Sequence, residues 1–229
     1  MERTLEVRFN HPVLRAVLFD FGGVVLSSPF DAFASYERDN ELPVDLIRTI
    51  NATNPHDNAW AHLERNDVTL AEFVALFEAE ALELGHRVDG WKILECLSGE
   101  IRPEMVEAIR RCKAAGLLTA CLTNNFVSDE GVGSGVGSKD PARQAKLDEV
   151  MALFDHVVES SKVGVRKPEP AFYEIALELL GVEASEAVFL DDLGVNLKPA
   201  KAMGMTTIKV ISADQALAEL EEVTGLSLR

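Results

Sequence analysis

Downstream of Arg102 and Pro103 the chain alternates strictly between helix-like and strand-like segments, and this limits its fold more than any other feature. PEMVEAIRRCKAAG reads as a helix ending at Gly116, followed by LLTACLTNN as a buried strand. The alternation continues with a helix over 142–152, the strand FDHVVES (154–160), a helix over 169–180 stopped by Gly181 and the strand AVFLDD (187–192). A helix over 196–203 stopped by Gly204 and the strand TTIKVI (206–211) complete it. Strands separated by helices of this length pair in parallel, so the pattern predicts an α/β fold with a doubly wound parallel sheet. In such sheets ligands bind at the carboxyl ends of the strands.

The first strand lies upstream, in LRAVLFDFGGVVL (14–26), where Ala16 to Phe19 form an apolar run suited to burial on both faces and end at Asp20. Residues 30–98 then read as helix throughout, with apolar positions three and four apart and a capping-box pattern at Thr69 and Glu72. Inserted directly after the first strand, this block overhangs the carboxyl end of the sheet as a helical cap. The expected division is a core of 14–29 and 99–229 with a cap of 30–98. DEGVGSGVGSKDPAR (129–143) is expected to be a flexible loop; it lacks the GK[ST] order of a nucleotide-binding loop, because Lys139 follows Ser138.

Charge narrows the partners. The chain of 229 residues carries 22 Lys plus Arg against 38 Asp plus Glu, a formal net charge of −16 that repels phosphate backbones and anionic lipid headgroups. No nucleic acid or membrane partner is expected. Three cysteines, Cys96, Cys112 and Cys121, have no CxxC spacing and read as reduced core thiols. The opening MERTLEVRFNHP lacks the apolar core of a secretory signal, so a cytoplasmic setting is expected. The histidines show no HxxxH or HExxH pairing.

Chemistry gathers at the strand ends. Asp20 closes the first strand, Thr123 with Asn124 and Asn125 the second, and Asp191 and Asp192 the fourth, while Lys167 sits in the loop KVGVRKPEP after the third. A carboxylate nucleophile, a hydroxyl, a lysine and an acidic pair at one sheet edge are what phosphoryl transfer through an aspartyl intermediate requires. Attack of one anion on another needs the repulsion cancelled, so a hard cation and a lysine must bracket the nucleophile. Asp20 and Asp192 can hold Mg2+ through oxygen ligands. Lys167 would contact both Asp20 and the phosphate, while the Thr123 hydroxyl and the amides after Asp20 would bond the phosphoryl oxygens. Gly22 and Gly23 permit a tight turn that aims those amides inward.

VLFDFGGVV, LTNN, GVRKPEP and VFLDDLGVNLKPAKAMGM together resemble, in order, the four motifs of the haloacid dehalogenase-like (HAD) hydrolase superfamily. The resemblance spans 14–211 and is nearest to the branch with the N-terminal phosphatase domain of soluble epoxide hydrolase and the HAD domain fused to some acyl-CoA dehydrogenases. It implies a Rossmann-like core, an α-helical cap, magnesium and attack by Asp20. The implied metal set is Asp20, Gly22, Asp191 and Asp192; the implied phosphate set is Gly22, Gly23, Thr123, Asn124 and Lys167. One departure stands out: the second Asp of the family's Asp-x-Asp is Gly22 here, and that carboxyl serves as general acid for the leaving alkoxide.

Asn196 either orients the acidic residues or caps the helix that follows. Trp60, Trp91, Phe73 and Phe77 lie at helical spacing in the cap and are expected to be buried. Arg166 and Lys162 are candidates for substrate selectivity. The expected activity is a magnesium-dependent hydrolase, monomeric or homodimeric, acting on small phosphorylated metabolites. The alternatives are a 2-haloacid dehalogenase and a binding or regulatory module with little turnover.

Overall fold

The structure, a computed structural model, describes residues 13–126 and 140–229. Residues 129–139 of the glycine-rich loop and the opening residues 1–12 lie outside the described residues. Five strands form one parallel sheet: β1 (Ala16–Phe19), β2 (Leu118–Thr123), β3 (His156–Glu159), β4 (Ala187–Asp191) and β5 (Thr206–Lys209), in the order β3-β2-β1-β4-β5. The chain winds outward from β1 to β3, then crosses back to β4 and β5. The reversal puts a switch point between β1 and β4, where a crevice opens at the carboxyl ends.

The alternation of β1 explains why both faces must be covered. Val17 and Phe19 enter one apolar cluster with Met105, Ile109, Leu190 and Leu217; Ala16 and Leu18 enter another with Phe172, Tyr173, Phe189 and Leu197. All four β1 residues are fully buried, and each fully buried large apolar side chain contributes roughly 1.5–3 kcal/mol.

Between β1 and β2 come α1 (Pro29–Asp39), α2 (Leu46–Ala52), α3 (Ala59–Glu64), α4 (Leu70–Glu83), α5 (Gly90–Glu95) and α6 (Pro103–Ala114). The first five of these helices form an insert with its own core, in which Trp60 packs on Phe73 at 4.6 Å and Phe73 stacks on Phe77 at 5.6 Å. α4 starts on the expected capping box, Thr69 and Glu72 exchanging bonds with each other's backbone. It buries Leu70, Phe73, Val74, Phe77 and Ala81, one stripe at helical spacing. Trp91 departs from expectation at 39% exposed, because the short α5 turns Ile93 and Leu94 inward and leaves Trp91 on the other side.

The remaining helices are α7 (Pro141–Met151), the single turn α8 (Ser160–Val163), α9 (Pro170–Leu180), α10 (Gly194–Met203) and α11 (Ala213–Thr224). Strand ends fall at the expected bounds or up to two residues inside them. α11, begun by a Ser212 and Gln215 capping box, follows the last segment read from the sequence and packs Leu217 and Leu220 into the sheet's first cluster. The cysteines are free thiols, and burial pushes Cys112 up to about 11. No helix among the described residues is long and apolar enough to cross a membrane.

Candidate active site

The three central strands bring Asp20, Thr123 and Asp191 to one edge. Asp20 follows β1 directly, its backbone N–H donating to Leu190 O at 2.9 Å. Its Oδ1 accepts from Phe21 N at 2.6 Å and from Lys167 Nζ at 2.7 Å. Among the described residues no hydrogen bond reaches Oδ2, which leaves one Asp20 oxygen for other chemistry.

Lys167 arrives from the loop before α9 and is 1% exposed. Its ammonium bridges Asp20 Oδ1 and Asp191 Oδ2, the latter at 2.8 Å. Burial works against its charge, but Asp191 and Asp20 outweigh burial and hold Lys167 above the ordinary lysine range. Burial, then the charge of Asp191, raises Asp20 well above the usual carboxylate range against the pull of Lys167. The same two causes, in the same order, push Asp192 up to about 6.

Asp191 is a saturated acceptor. Oδ1 receives Leu193 N at 2.7 Å and Asn196 Nδ2 at 3.1 Å, and Oδ2 receives Lys167 and Asn196 Nδ2 at 3.0 Å. Asn196 lies inside α10, which begins at Gly194, and its backbone carbonyl accepts from Tyr173 Oη at 2.6 Å. Its role is therefore to orient Asp191, and the capping alternative falls away. Among the described residues, the side chain that donates to Asp192 is Ser28, through Oγ at 3.2 Å.

Oxygens of Asp20, Asp191 and Asp192 lie within 4.8 Å of one another. Three carboxylates around one ammonium leave surplus negative charge in a buried place, and hard oxygen donors of this kind suit a divalent cation. With Asp191 fully engaged, Asp20 and Asp192 are the two with oxygens to spare.

The two glycines serve differently. Gly23 has φ 79°, and a Cβ there would lie 2.2 Å from Asp192 Oδ2, so only glycine lets that carboxylate approach. Gly22 has φ −69° and ψ 130°, values open to any residue, and nothing lies within 4 Å of the place its Cβ would occupy. Backbone geometry does not demand glycine at 22.

Asp20, Gly22, Thr123, Asn124, Lys167 and Asp192 form the floor of a cavity of about 550 Å³. Its other walls come mainly from the insert, with Phe30, Phe33, Trp60 and Leu97 joined by Phe126. Asn124 lines this space, yet its amide is engaged: Oδ1 accepts from Lys167 N at 2.9 Å, and Nδ2 donates to Lys167 O and Glu64 Oε2, both at 3.0 Å. Asn125 turns away to Ser160 and Glu159. Arg166 reaches the cavity wall; Lys162 does not, pairing at the surface with Glu159. Ser28, the N-cap of α1, and Glu64 were not read as site residues from the sequence.

A family model for haloacid dehalogenase-like hydrolases matches residues 14–204. Bifunctional epoxide hydrolase 2 of Sus scrofa is 32% identical over 227 residues, covering 94% of this chain and 40% of that protein. Acyl-CoA dehydrogenase family member 10 of Mus musculus is 34% identical over 219 residues, 93% of this chain and 19% of that protein. The chain thus spans less than half the length of either relative. A HAD family enzyme from Bacteroides thetaiotaomicron, in complex with magnesium and inorganic phosphate, shares the fold at a TM-score of 0.55 and 19% identity, over 90% of this chain and 98% of that one. A match that runs from the threshold of β1 to the glycine after α10, over a sheet edge carrying these carboxylates and this lysine, makes the chain a member of the haloacid dehalogenase-like hydrolase family.

Proposed function

We propose that this hydrolase cleaves phosphate esters or anhydrides of small metabolites through an aspartyl-phosphate on Asp20, with the helical insert 30–98 acting as a cap over a core of 14–29 and 99–229. The observation that carries the reading is Lys167, nearly fully buried and held between Asp20 and Asp191 at the cavity floor. A lysine so placed offsets the charge of the nucleophile and of a phosphoryl group beside it.

Asp20 attacks phosphorus, the bond to the leaving oxygen breaks, and that oxygen departs with the bonding pair. Water then attacks the aspartyl-phosphate, releasing inorganic phosphate and restoring the carboxylate. The Thr123 hydroxyl and the backbone amides of Gly22 and Gly23 bond the phosphoryl oxygens. Asp20, Asp192 and the backbone carbonyl of Gly22 would hold magnesium, Asp191 completing the acidic set from behind by fixing Lys167. Magnesium there supplies the positive charge that three carboxylates and a phosphate together require. The apolar walls, Phe30, Phe33, Trp60, Leu97 and Phe126, favour a leaving group with an apolar body.

The dehalogenase alternative fits less well, because Asp191 and Asp192 beside Asp20 burden its ionisation unless a cation offsets them. A cytoplasmic protein with no nucleic acid or membrane partner completes the proposal. Phosphate release from a panel of esters, with magnesium and with chelator, tests it. Magnesium-dependent release lost in Asp20→Asn is expected; a rate indifferent to chelator would remove the metal from the reading.

A further inference from the structure

The carboxylate of Glu64, the last residue of α3, reaches from the cap to the core. Its Oε2 accepts from Arg166 Nε at 2.5 Å and from Asn124 Nδ2 at 3.0 Å. These donors come from different segments that meet at one residue. Arg166 immediately precedes Lys167, and Asn124 bonds both the N–H and the carbonyl of Lys167. Arg166 Nη1 also donates to Pro55 O of the cap, at 2.9 Å. Next along α3, Arg65 pairs with Glu169 Oε1 at 2.6 Å, so the cap grips the lysine's segment on both sides. The Glu64 and Arg166 side chains are only 16% and 12% exposed, which spares this pair most of the screening that weakens surface pairs.

We propose that Glu64 is a positioning residue that couples the seating of the cap to the alignment of Lys167, acting through Asn124 and Arg166. The inference rests on the reading of Lys167 as the lysine that faces the phosphate. With the cap seated, one carboxylate oxygen fixes the side chain before Lys167 and the amide that clamps its backbone. With the cap lifted, both restraints go slack together, and the ammonium loses the alignment between Asp20 and Asp191 that turnover needs. A mere strut between cap and core would act differently, altering the binding of bulky substrates and leaving the rate on a small one alone.

The test uses p-nitrophenyl phosphate with magnesium on the full chain, alongside hydrogen exchange at the Lys167 amide. Glu64→Ala should lower kcat by about tenfold or more, since misplacement of even about 1 Å can cost 10²-fold. Its KM should stay within about threefold, and the Lys167 amide should exchange faster. Glu64→Gln should recover most of the rate, because its amide oxygen still accepts from both donors. Arg65→Ala, which breaks the neighbouring pair without touching Asn124, should have the smaller effect. A folded Glu64→Ala with wild-type kcat, or with unchanged protection at Lys167, overturns the proposal, as does an equal loss in Arg65→Ala. If the wild type releases no phosphate, the phosphatase reading fails, while exchange at Lys167 in wild type against Glu64→Ala still decides the coupling.

Discussion

At the cavity floor Asp191 has all its oxygens bonded, Lys167 sits between two carboxylates, and Asn124 clamps the lysine's backbone on both sides. In the insert above it, Asn51 Oδ1 and Trp60 Nε1, from two residues that line the same cavity, are buried with no hydrogen-bond partner among the described residues. Leaving a buried polar atom unpaired costs about 1–3 kcal/mol. The floor is therefore held rigidly around the open oxygens of Asp20 and Asp192, whereas the insert is mainly apolar and leaves these two buried polar atoms unpaired. The difference separates chemistry from selectivity: side chains on strand ends are fixed by the sheet, while those above depend on how separate helices settle around their own aromatic core.

The comparison breaks most directly at the floor. Asp20→Asn keeps the volume and removes the proposed nucleophile, so kcat should fall by more than about 100-fold while folding is retained. Residual turnover above about 1% would assign the attack to water instead. Gly22→Asp should act in the opposite direction. With φ −69° and open space at its Cβ, the turn accepts an aspartate without strain, and the new carboxyl can protonate a departing alkoxide. General acid catalysis contributes typically 10²–10⁴-fold. Alkyl phosphates should therefore gain about 10²-fold in the variant, whereas aryl phosphates, whose leaving groups need no proton, should change little. A wild type already indifferent to leaving-group pKa, with no alkyl-selective gain in the variant, would place the proton donor elsewhere, in the roof or in water.

How much of this was legible follows the same division. Asp20 could be found because a strand buried on both faces must be apolar and must stop where a carboxylate appears. Asp191 and Asp192 closed an equally plain strand, and Lys167 stood in the loop before a readable helix. Asn196 could not be assigned, because its role depends on where α10 begins, and helix starts are uncertain by a few residues. The necessity of Gly23 shows only once Asp192 is seen against it. Glu64 left no trace, since its contact with Arg166 spans 102 residues of sequence. Trp91 misled because apolar spacing in a helix of six residues does not settle which side faces in.

At intermediate size, Asp192→Asn should weaken magnesium binding by about 10–100-fold, recoverable at high magnesium, because an anionic ligand becomes a neutral one. Retained affinity would shift the cation toward Asp191. The two cores can be set against each other by Phe19→Ala and Phe73→Ala, each removing a fully buried ring at a cost of about 3–5 kcal/mol. If the insert folds around its own core, Phe73→Ala should speed hydrogen exchange in 30–98 and spare the sheet, whereas Phe19→Ala should loosen both. Equal loosening everywhere would make floor and roof one cooperative unit.

The smallest effect is a pH response of the cation-free protein. Burial first, and the charge of Asp191 second, push Asp192 up to about 6 from an ordinary value of 3.8. A carboxyl whose pKa is higher folded than unfolded keeps its proton in the folded state at pH values where the unfolded chain has lost it. Stability contributed this way is present below the unfolded value and is lost as pH rises towards the folded one. Asp20, raised by burial and Asp191, acts with the same sign. Without magnesium, the thermal midpoint should therefore rise by a few degrees between pH 7 and pH 5, and Asp192→Asn, which cannot ionise, should flatten part of that slope. Magnesium reverses the sign, because cation and proton compete for the same oxygens: the midpoint gain on adding magnesium should shrink as pH falls below about 6. A magnesium-induced gain equal at pH 5 and pH 7.5 would mean that Asp192 gives up no proton to the cation, and the division between a floor built for charge and a roof built for shape would have to be redrawn with the metal elsewhere.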